Sequence, residues 1–575
     1  MNDNSKNTSA TDKTEVVVLP PPPPPAAPRT PPPPKNPGMV TLTVDGKEVV
    51  AKPGTSLIAA AQQVGIHIPH YCYHPRLSLS ANCRMCMVEA SNAPKLVPAC
   101  QATVAEGQLV KTDTPKVQEQ QRAVLEFLLL NHPIDCPICD QAGECKLQDY
   151  YVRYNLKPSR LWGPKVQKNK RKVFGPTVVI DQERCILCTR CVRFMEEVAK
   201  EPQLGIFGRG SHERVDVFPG SKLDSNYSGN VVDLCPVGAM LNRDFRFKAR
   251  AWFLSATPSI CTACSRGCNV FADHMQQDCF RFRPRRNEAV NQVWMCDEGR
   301  KSFRWVGENR ALKPMSLGQP LSVDKALNKA ASLLQKARGS LGVLVSPAAS
   351  NEDFMASLGF ARDVLKVNSV FVSGRHDGAA DHLLLLADKN PNRKGLEFVA
   401  EALGMELKPF EAFSPSAFQA VWVLGGEMPE SDIVMAARLK TVPTLVQAQH
   451  TSEWATASQV FLPVTSHLET ECSMTQHEGL IQRCRQAFAP KGDSAPHWLW
   501  VMRLADLLGA QMGWKTAKDV FSAIAPRVPE FADFDWEGQA PSTEKRPGLP
   551  LPAACDGRPP AYRQFACLSE KGCVP

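Results

Sequence analysis

The chain lacks the features that would put it across a membrane unaided. No uninterrupted apolar run in its 575 residues reaches the ~18 needed for a spanning helix. The richest, AVLEFLLL at 123–130, contains Glu126. The N-terminus shows no apolar segment followed by a small-residue cleavage site, so no secretory signal is expected. No glycine-rich nucleotide fingerprint is present beyond an echo at Gly425-Gly426, after the run AVWVL. No paired carboxylates or nucleophile–base set stands out. Cysteine is missing throughout 297–471, although the chain has 21 of them.

What is present is concentrated. Sixteen cysteines lie between residues 72 and 296, in groups of two or three. Disulfide scaffolds are small, secreted and cysteine-dense throughout. Grouped cysteines in a long chain without a secretion signal read instead as metal ligands. The formal charge is +9, but the basic residues are scattered and the one dense run, KVQKNKRK at 165–172, is short. Nucleic-acid binding is therefore not expected.

The texture changes along the chain. Residues 1–38 carry LPPPPPPAAPRTPPPP and are expected to form a Pro-rich disordered arm. From Met39, VTLTVDGKEVVA predicts a β-hairpin turning at Asp45-Gly46. PGTSLIAAAQQVGI predicts a helix capped by Thr55 or Ser56 and stopped at Gly65. A second helix is predicted over 114–131, with Thr114 as cap, Pro115 in its first turn and a stripe through Val117, Val124, Leu125 and Leu128. After about 310, β-branched runs (SLGVLVSP, NSVFVSG, AVWVLGG, VPTLVQA, QVFLPV) alternate with helical stretches, which predicts a parallel sheet flanked by helices. A loose tail follows from 536.

Three cysteine sets are complete in themselves. Cys72, Cys83, Cys86 and Cys100 (C-x10-C-x2-C-x13-C) follow a hairpin and helix and suit a 2Fe–2S site with a variant loop, in which Asn82, Arg84 and backbone N–H groups would face the sulfurs. Cys185, Cys188 and Cys191 (C-x2-C-x2-C) crowd one face too tightly for a single zinc ion but suit a corner of a 4Fe–4S cubane, with Cys235-Pro236 closing the site from far along the chain. Met195 stands where a two-cluster ferredoxin would carry its next cysteine. Cys261, Cys264, Cys268 and Cys296 form a third tight corner with a late fourth ligand, leaving Cys279 as a spare thiol. Zinc is the alternative at each.

The stretch NHPIDCPICDQAGECKLQD, residues 131–149, offers only Cys136, Cys139 and Cys145. The nearest further candidate is His132, which would bring four sites to sixteen ligands with none short; the alternative is an ordinary helix-end histidine. Clusters at all four sites would carry about −7 together, which brings the net charge near about +2. The basic excess, with Arg84, Arg190 and Arg193 beside the ligands, thus reads as internal balance.

YCYHPRLSLSANCRMCMVE, NHPIDCPICDQAGECKLQDYY, DQERCILCTRCVRF and VVDLCPVGAM, taken in this order, resemble the large iron–sulfur subunit (the G-type subunit) of bacterial respiratory complex I, NADH:quinone oxidoreductase, over residues 39–300. The later part is similar, more loosely, to molybdopterin oxidoreductases that have lost their cofactor. The resemblance implies a multidomain α+β and α/β chain. Its parts would be a 2Fe–2S ferredoxin-like β-grasp domain (39–117), a 4Fe–4S domain with one histidine and three cysteine ligands (118–160), and a 4Fe–4S ferredoxin-like domain (161–253). A 4Fe–4S domain of molybdopterin-oxidoreductase type (254–310) and a degenerate α/β region (311–535) would precede the tail (536–575). The resemblance assigns one 2Fe–2S cluster to the first set and 4Fe–4S clusters to His132/Cys136/Cys139/Cys145, to the Cys185 set and to the Cys261 set, the last found in only some bacterial members.

It further implies electron relay from the flavin-bearing, NADH-oxidising subunit toward the subunits that lead to quinone. No molybdopterin, FMN or NAD would be bound by this chain. It would lie peripherally on the cytoplasmic side of the bacterial inner membrane, held there only through the complex. A molybdenum formate dehydrogenase-like chain and a hydrogenase diaphorase subunit are the rival readings. Cys555, Cys567 and Cys573 in the tail are expected to be free thiols.

Overall fold

The computed structural model describes residues 38–155 and 158–538. The Pro-rich arm and the tail cysteines lie outside the described residues. The chain divides into two compact units. One comprises the described residues up to Ile68 together with Val88–Thr114; the other comprises Pro69–Met87 and the chain from Pro115 onward.

The first unit begins with β1 (Val40–Val44) and β2 (Lys47–Ala51), paired antiparallel with Val44 opposite Lys47. Alternation puts Leu42, Val44, Val49 and Ala51 inside. The turn requires positive φ at both central residues, met by Asp45 (45°) and Gly46 (82°). Helix α1 (Leu57–Gln63) starts where the Ser56 hydroxyl accepts from the Ala59 N–H, and Gly65 (φ 74°) ends the turn. Of the two expected caps, Ser56 is the one used. Strands β3 (Met87–Ala90), β4 (Val97–Pro98) and β5 (Leu109–Lys111) complete a sheet of order β2-β1-β5-β3-β4, with β1 and β5 parallel. A mixed sheet with one buried helix is a β-grasp arrangement.

The second unit opens with α2 (Pro115–Asn131), which buries Val117, Gln121, Val124 and Leu125, and α3 (Lys146–Tyr150). A sheet of order β10-β7-β6 follows (β6 Lys172–Val173, β7 Val178–Ile180, β10 Met240–Asn242). Between its strands lie α4 (Arg190–Glu197), the hairpin β8 (Leu204–Phe207) and β9 (Arg214–Val217), and α5 (Asn230–Leu234). Next come three antiparallel strands, β11 (Ser255–Ile260), β12 (Asn269–Met275) and β13 (Asp278–Pro284), and the short α6 (Asp297–Lys301). One apolar core joins Leu77, Phe194, Val231, Val270, Leu385 and Phe488, so the stretches expected as separate cluster domains share their packing.

The α/β region then begins with β14 (Met315–Ser316), β15 (Gln319–Pro320), α7 (Val323–Lys336) and β16 (Leu341–Val345). It continues with α8 (Asn351–Asp363), β17 (Ser369–Val372), α9 (Arg393–Ala402), β18 (Glu406–Pro409), β19 (Ala420–Leu424) and α10 (Asp432–Leu439). It closes with β20 (Thr444–Ala448), α11 (Glu453–Thr456), β21 (Val460–Pro463), the hairpin β22 (Cys472–Thr475) and β23 (Ile481–Cys484), α12 (His497–Leu507) and α13 (Ala517–Ile524).

All five expected strand runs appear. Strand order is β15-β14-β21-β20-β19-β16-β17-β18, parallel from β21 to β18. Both faces of the central strands are covered, which explains their unbroken apolar sequences. Val343, Trp422 and Leu445 point into one core, while their neighbours Leu344, Val423 and Val446 point into another. The order runs outward in both directions from the β16–β19 pair, so the loops leaving the carboxyl ends of these two strands diverge.

Leu504 on α12 is fully buried in the first of these cores. Leu504→Ala is expected to destabilise the α/β region by about 3 kcal/mol, read as a lowered denaturant midpoint. Visible absorption from any cluster should stay unchanged, because the described cysteine sets lie outside this core.

Candidate metal centres

The Cys185 set is the most fully assembled. Cys185, Cys188, Cys191 and Cys235 line one cavity together with Thr189, Val237 and Met240. Two residues of the loop, Leu187 (φ 53°) and Thr189 (φ 62°), take left-handed backbone, curling the chain so that successive cysteines turn to the same side. The Leu187 N–H donates to the Cys185 sulfur at 3.4 Å, and the N–H groups of Met240, Val237 and Ala239 face the Cys235 sulfur.

Burial, then repulsion from the neighbouring thiolates, pushes Cys185 up to about 12 and Cys188 up to about 11. Cys191 is raised well above the ordinary thiol value for the same reasons. Four thiolates can share this cavity only with positive charge among them, which an iron core supplies.

The Cys261 set is gathered by β11, the turn before β12, and α6. The Cys261 N–H donates to the Cys268 carbonyl at 2.8 Å. Cys296 caps α6, its sulfur accepting from the Gly299 N–H at 3.3 Å. A Cβ at Gly299 would stand 2.8 Å from the Cys261 sulfur and 3.4 Å from that of Cys296, so the missing side chain leaves room for both. Burial, then the other thiols of the set, raises Cys261 up to about 12, and raises Cys268 and Cys296 too. Cys279 sits apart on β13, its thiol facing the Arg281 carbonyl.

In the stretch 131–149, Cys136 and Cys139 bracket a single 3-10 turn and Cys145 begins α3. Burial, and more weakly the Cys139 charge, pushes Cys145 up to about 12. A Cβ at Gly238, just beyond Cys235-Pro236, would overlap the Cys139 sulfur. His132 follows the last residue of α2. Its Nδ1 is buried without a partner among the described residues. Burial, then Arg184, lowers it to about 4, so the imidazole is neutral, the form that binds metal. Arg184, paired bidentately with Asp135 (3.1 and 2.7 Å), faces both His132 and Cys139. The donor set fits a histidine-ligated cluster.

For the first set, Cys72, Cys83 and Cys86 belong to the second unit and Cys100 to the first. The Cys72 N–H reaches the Cys83 sulfur at 3.5 Å. The thiol hydrogen bond with Cys72, then burial, raises Cys83. Asn82 does not turn to a sulfur: its amide donates to the Leu187 carbonyl at 3.0 Å, in the neighbouring ligand loop. Arg84 adopts a positive φ of 53°.

Among the described residues, no three His, Cys, Asp or Glu side chains close around a point that would hold one metal ion.

Several supporting contacts had no signature in the sequence. Arg193 donates to the Cys72 carbonyl at 2.6 Å and the Cys188 carbonyl at 3.4 Å, and Arg190 to the Leu234 carbonyl at 3.2 Å and to the Tyr73 carbonyl. The Lys146 N–H donates to the Pro236 carbonyl at 3.0 Å, joining the Cys145 and Cys235 stretches. Arg281 clasps Glu144 (2.9 Å) and Asp273 (2.6 Å) at once. Cys472 and Cys484 stand opposite each other across the β22–β23 hairpin, both buried.

Three family profiles match, each over one stretch. A 2Fe-2S iron-sulfur cluster binding domain covers residues 38–115 and the NADH-ubiquinone oxidoreductase-G iron-sulfur binding region covers 121–160. The ferredoxin-like domain of NADH-quinone oxidoreductase subunit 3 covers 175–241. The G subunit of NADH-quinone oxidoreductase from Streptomyces coelicolor is 37% identical over 357 residues, 61% of this chain and 42% of the relative. Its counterpart from Rickettsia conorii is 42% identical over 276 residues, 48% and 41%. The 75 kDa subunit of NADH-ubiquinone oxidoreductase from Reclinomonas americana is 38% identical over 366 residues, 62% and 53%.

The chain spans about half the length of these relatives or less. A solved NAD+-reducing [NiFe]-hydrogenase chain is 28% identical and covers 36% of this chain and 90% of its own, at a TM-score of 0.34, too low to bear on the fold. The class is an iron–sulfur protein with 2Fe–2S and 4Fe–4S binding domains. The matched part of the chain is similar to the G subunit of NADH-quinone oxidoreductase.

Because a Cβ at Gly238 would overlap the Cys139 sulfur, Gly238→Ala is expected to remove one cubane, a loss of about four irons per chain. The measurement is iron and acid-labile sulfide on the purified variant. Full iron content would show that the Cys139 position tolerates the methyl group.

Proposed function

We propose that this chain is an electron-relay subunit of an NADH:quinone oxidoreductase. It takes electrons from a flavin-bearing partner and passes them toward the quinone side, and it binds neither NADH nor quinone itself. The gathering of Cys185, Cys188, Cys191 and Cys235 around one buried cavity carries the reading. A cluster bound there supplies reversible one-electron exchange.

The residues assigned are Cys72, Cys83, Cys86 and Cys100 to a 2Fe–2S cluster. His132, Cys136, Cys139 and Cys145 take a first 4Fe–4S cluster, Cys185, Cys188, Cys191 and Cys235 a second, and Cys261, Cys264, Cys268 and Cys296 a third. The first three sets lie within the three family matches in order; the fourth rests on its spacing and on the room left at Gly299.

The chain's own contribution is to hold the thiolates buried, to aim backbone N–H groups at their sulfurs, and to place guanidinium groups close by. The N–H groups and guanidiniums favour the reduced, more negative state of a bound cluster, burial opposes it, and the balance sets its potential. The α/β region is read as a molybdopterin-oxidoreductase-like scaffold without that cofactor, and 254–310 as the cluster module that precedes it. The partners are the other subunits of the peripheral arm. The location follows as the cytoplasmic side of the bacterial inner membrane, with attachment through the complex. Consistent with that, no helix among the described residues is long and apolar enough to cross a membrane.

Iron and sulfide analysis tests the count: about fourteen irons per chain are expected for one binuclear and three cubane clusters. His132→Cys replaces a neutral imidazole by a thiolate and so adds a negative charge to one cluster. Its midpoint potential should fall in a redox titration followed by EPR, while the other clusters keep theirs. An unchanged midpoint would remove His132 from the ligand set.

A further inference from the structure

A cavity lies at the carboxyl ends of the parallel strands. It occupies about 380 Å³, within the range of small-molecule sites. Its walls come from the loops after β16, β17, β19, β20 and β21 and from the stretch 302–309 that precedes the sheet. It therefore sits in the crevice where strand order reverses between β16 and β19, the position at which open α/β sheets bind their ligands.

The lining has a definite chemistry. Thr465 Oγ1, Ser466 Oγ, His467 Nε2 and Arg375 Nε are buried with no partner among the described residues. An unmatched buried polar atom costs about 1–3 kcal/mol, so four around one cavity point to a ligand that matches them. Burial holds His467 down to about 4, so it meets a ligand as a neutral imidazole. Trp305 gives an aromatic wall, with the Arg375 guanidinium 5.2 Å from its ring centroid. The charged lining residues are Glu308, Asp353 and Glu427 against a single guanidinium, Arg375, an excess of negative charge that disfavours a polyphosphate.

Glu427 lies just beyond Gly425-Gly426. Gly425 takes φ 98° where a Cβ would overlap Ser346, so the backbone passes close without a side chain. The Ser346 hydroxyl donates to Glu427 Oε2 at 2.8 Å. That bond leaves Oε1 to accept from a sugar diol, the role an acidic residue plays toward ribose in related sheets.

We propose that this cavity binds a nucleoside-type ligand, an aromatic base with its ribose and little or no phosphate. The base would lie against Trp305 and Arg375, the ribose hydroxyls would reach Glu427, and Thr465, Ser466 and His467 would meet the polar edge of the base. The cavity is shared between the α/β region and the stretch 302–309, and the inference does not depend on whether a cluster is bound.

The test is calorimetric titration of the full chain with adenosine and with guanosine, and with ATP for comparison. Saturable one-to-one binding of at least one nucleoside is expected, with ATP at least about tenfold weaker. Glu427→Gln should weaken nucleoside binding about tenfold, the loss of one charge-assisted hydrogen bond. Trp305→Ala should weaken it by a similar factor. Trp305 is 43% exposed, so this variant keeps the fold if Glu427→Gln does not. No binding of either nucleoside at about 1 mM would overturn the proposal. Equal affinity in wild type and the Trp305→Ala variant, or tighter binding of ATP, would do so as well.

Discussion

Thiolates packed into one buried space repel one another and lose their hydration. The second unit depends on how that repulsion is met. Burial and mutual charge hold Cys185, Cys191, Cys261 and Cys268 high. The thiolate form becomes stable only with positive charge at the centre, assisted by N–H groups aimed at the sulfurs. Binding of iron at such a site would couple to folding through the same electrostatics.

The arginines extend this balance beyond each site. Arg193 binds the carbonyls of Cys72 and Cys188, and Asn82 donates to Leu187, so two ligand loops are fixed to each other through their backbones. Arg184 holds Asp135 beside His132 and Cys139. Arg281 ties Glu144, next to Cys145, to Asp273 on β12. Burial pushes the Asp273 carboxyl up, but Arg283 and Arg281 outweigh it and hold it down to about 2, so this clamp stays ionised through the physiological range.

The α/β region obeys a different constraint. Its strands are buried on both faces and contribute alternate residues to two cores. Polar loops are thereby confined to the strand ends, and at the reversal between β16 and β19 they diverge and leave a cavity. Hydrophobic packing thus creates a polar site as a consequence of topology.

Spacing and period made much of this legible in advance. Asp45-Gly46, Ser56, Gly65 and Pro115 mark turns and helix ends through local backbone preference, and each acts where it was expected. The five β-branched runs became strands because continuous apolar sequence of that length suits a doubly covered sheet. The cysteine groups were visible because ligands to one cluster corner must be close in sequence. Contacts between residues far apart in sequence were not visible. Gly238 beside Cys139, Gly299 between two sulfurs, Arg193 across two loops and Cys472 opposite Cys484 carry no local signal, since nothing near them in the chain requires them.

The sequence by itself determined which residues could bind metal and in what groups, because ligand type and short-range spacing are local properties. Only the tertiary structure decided how much room each sulfur has, which cations face it, and that a polar cavity opens at the strand ends, because those follow from chain segments meeting across hundreds of residues.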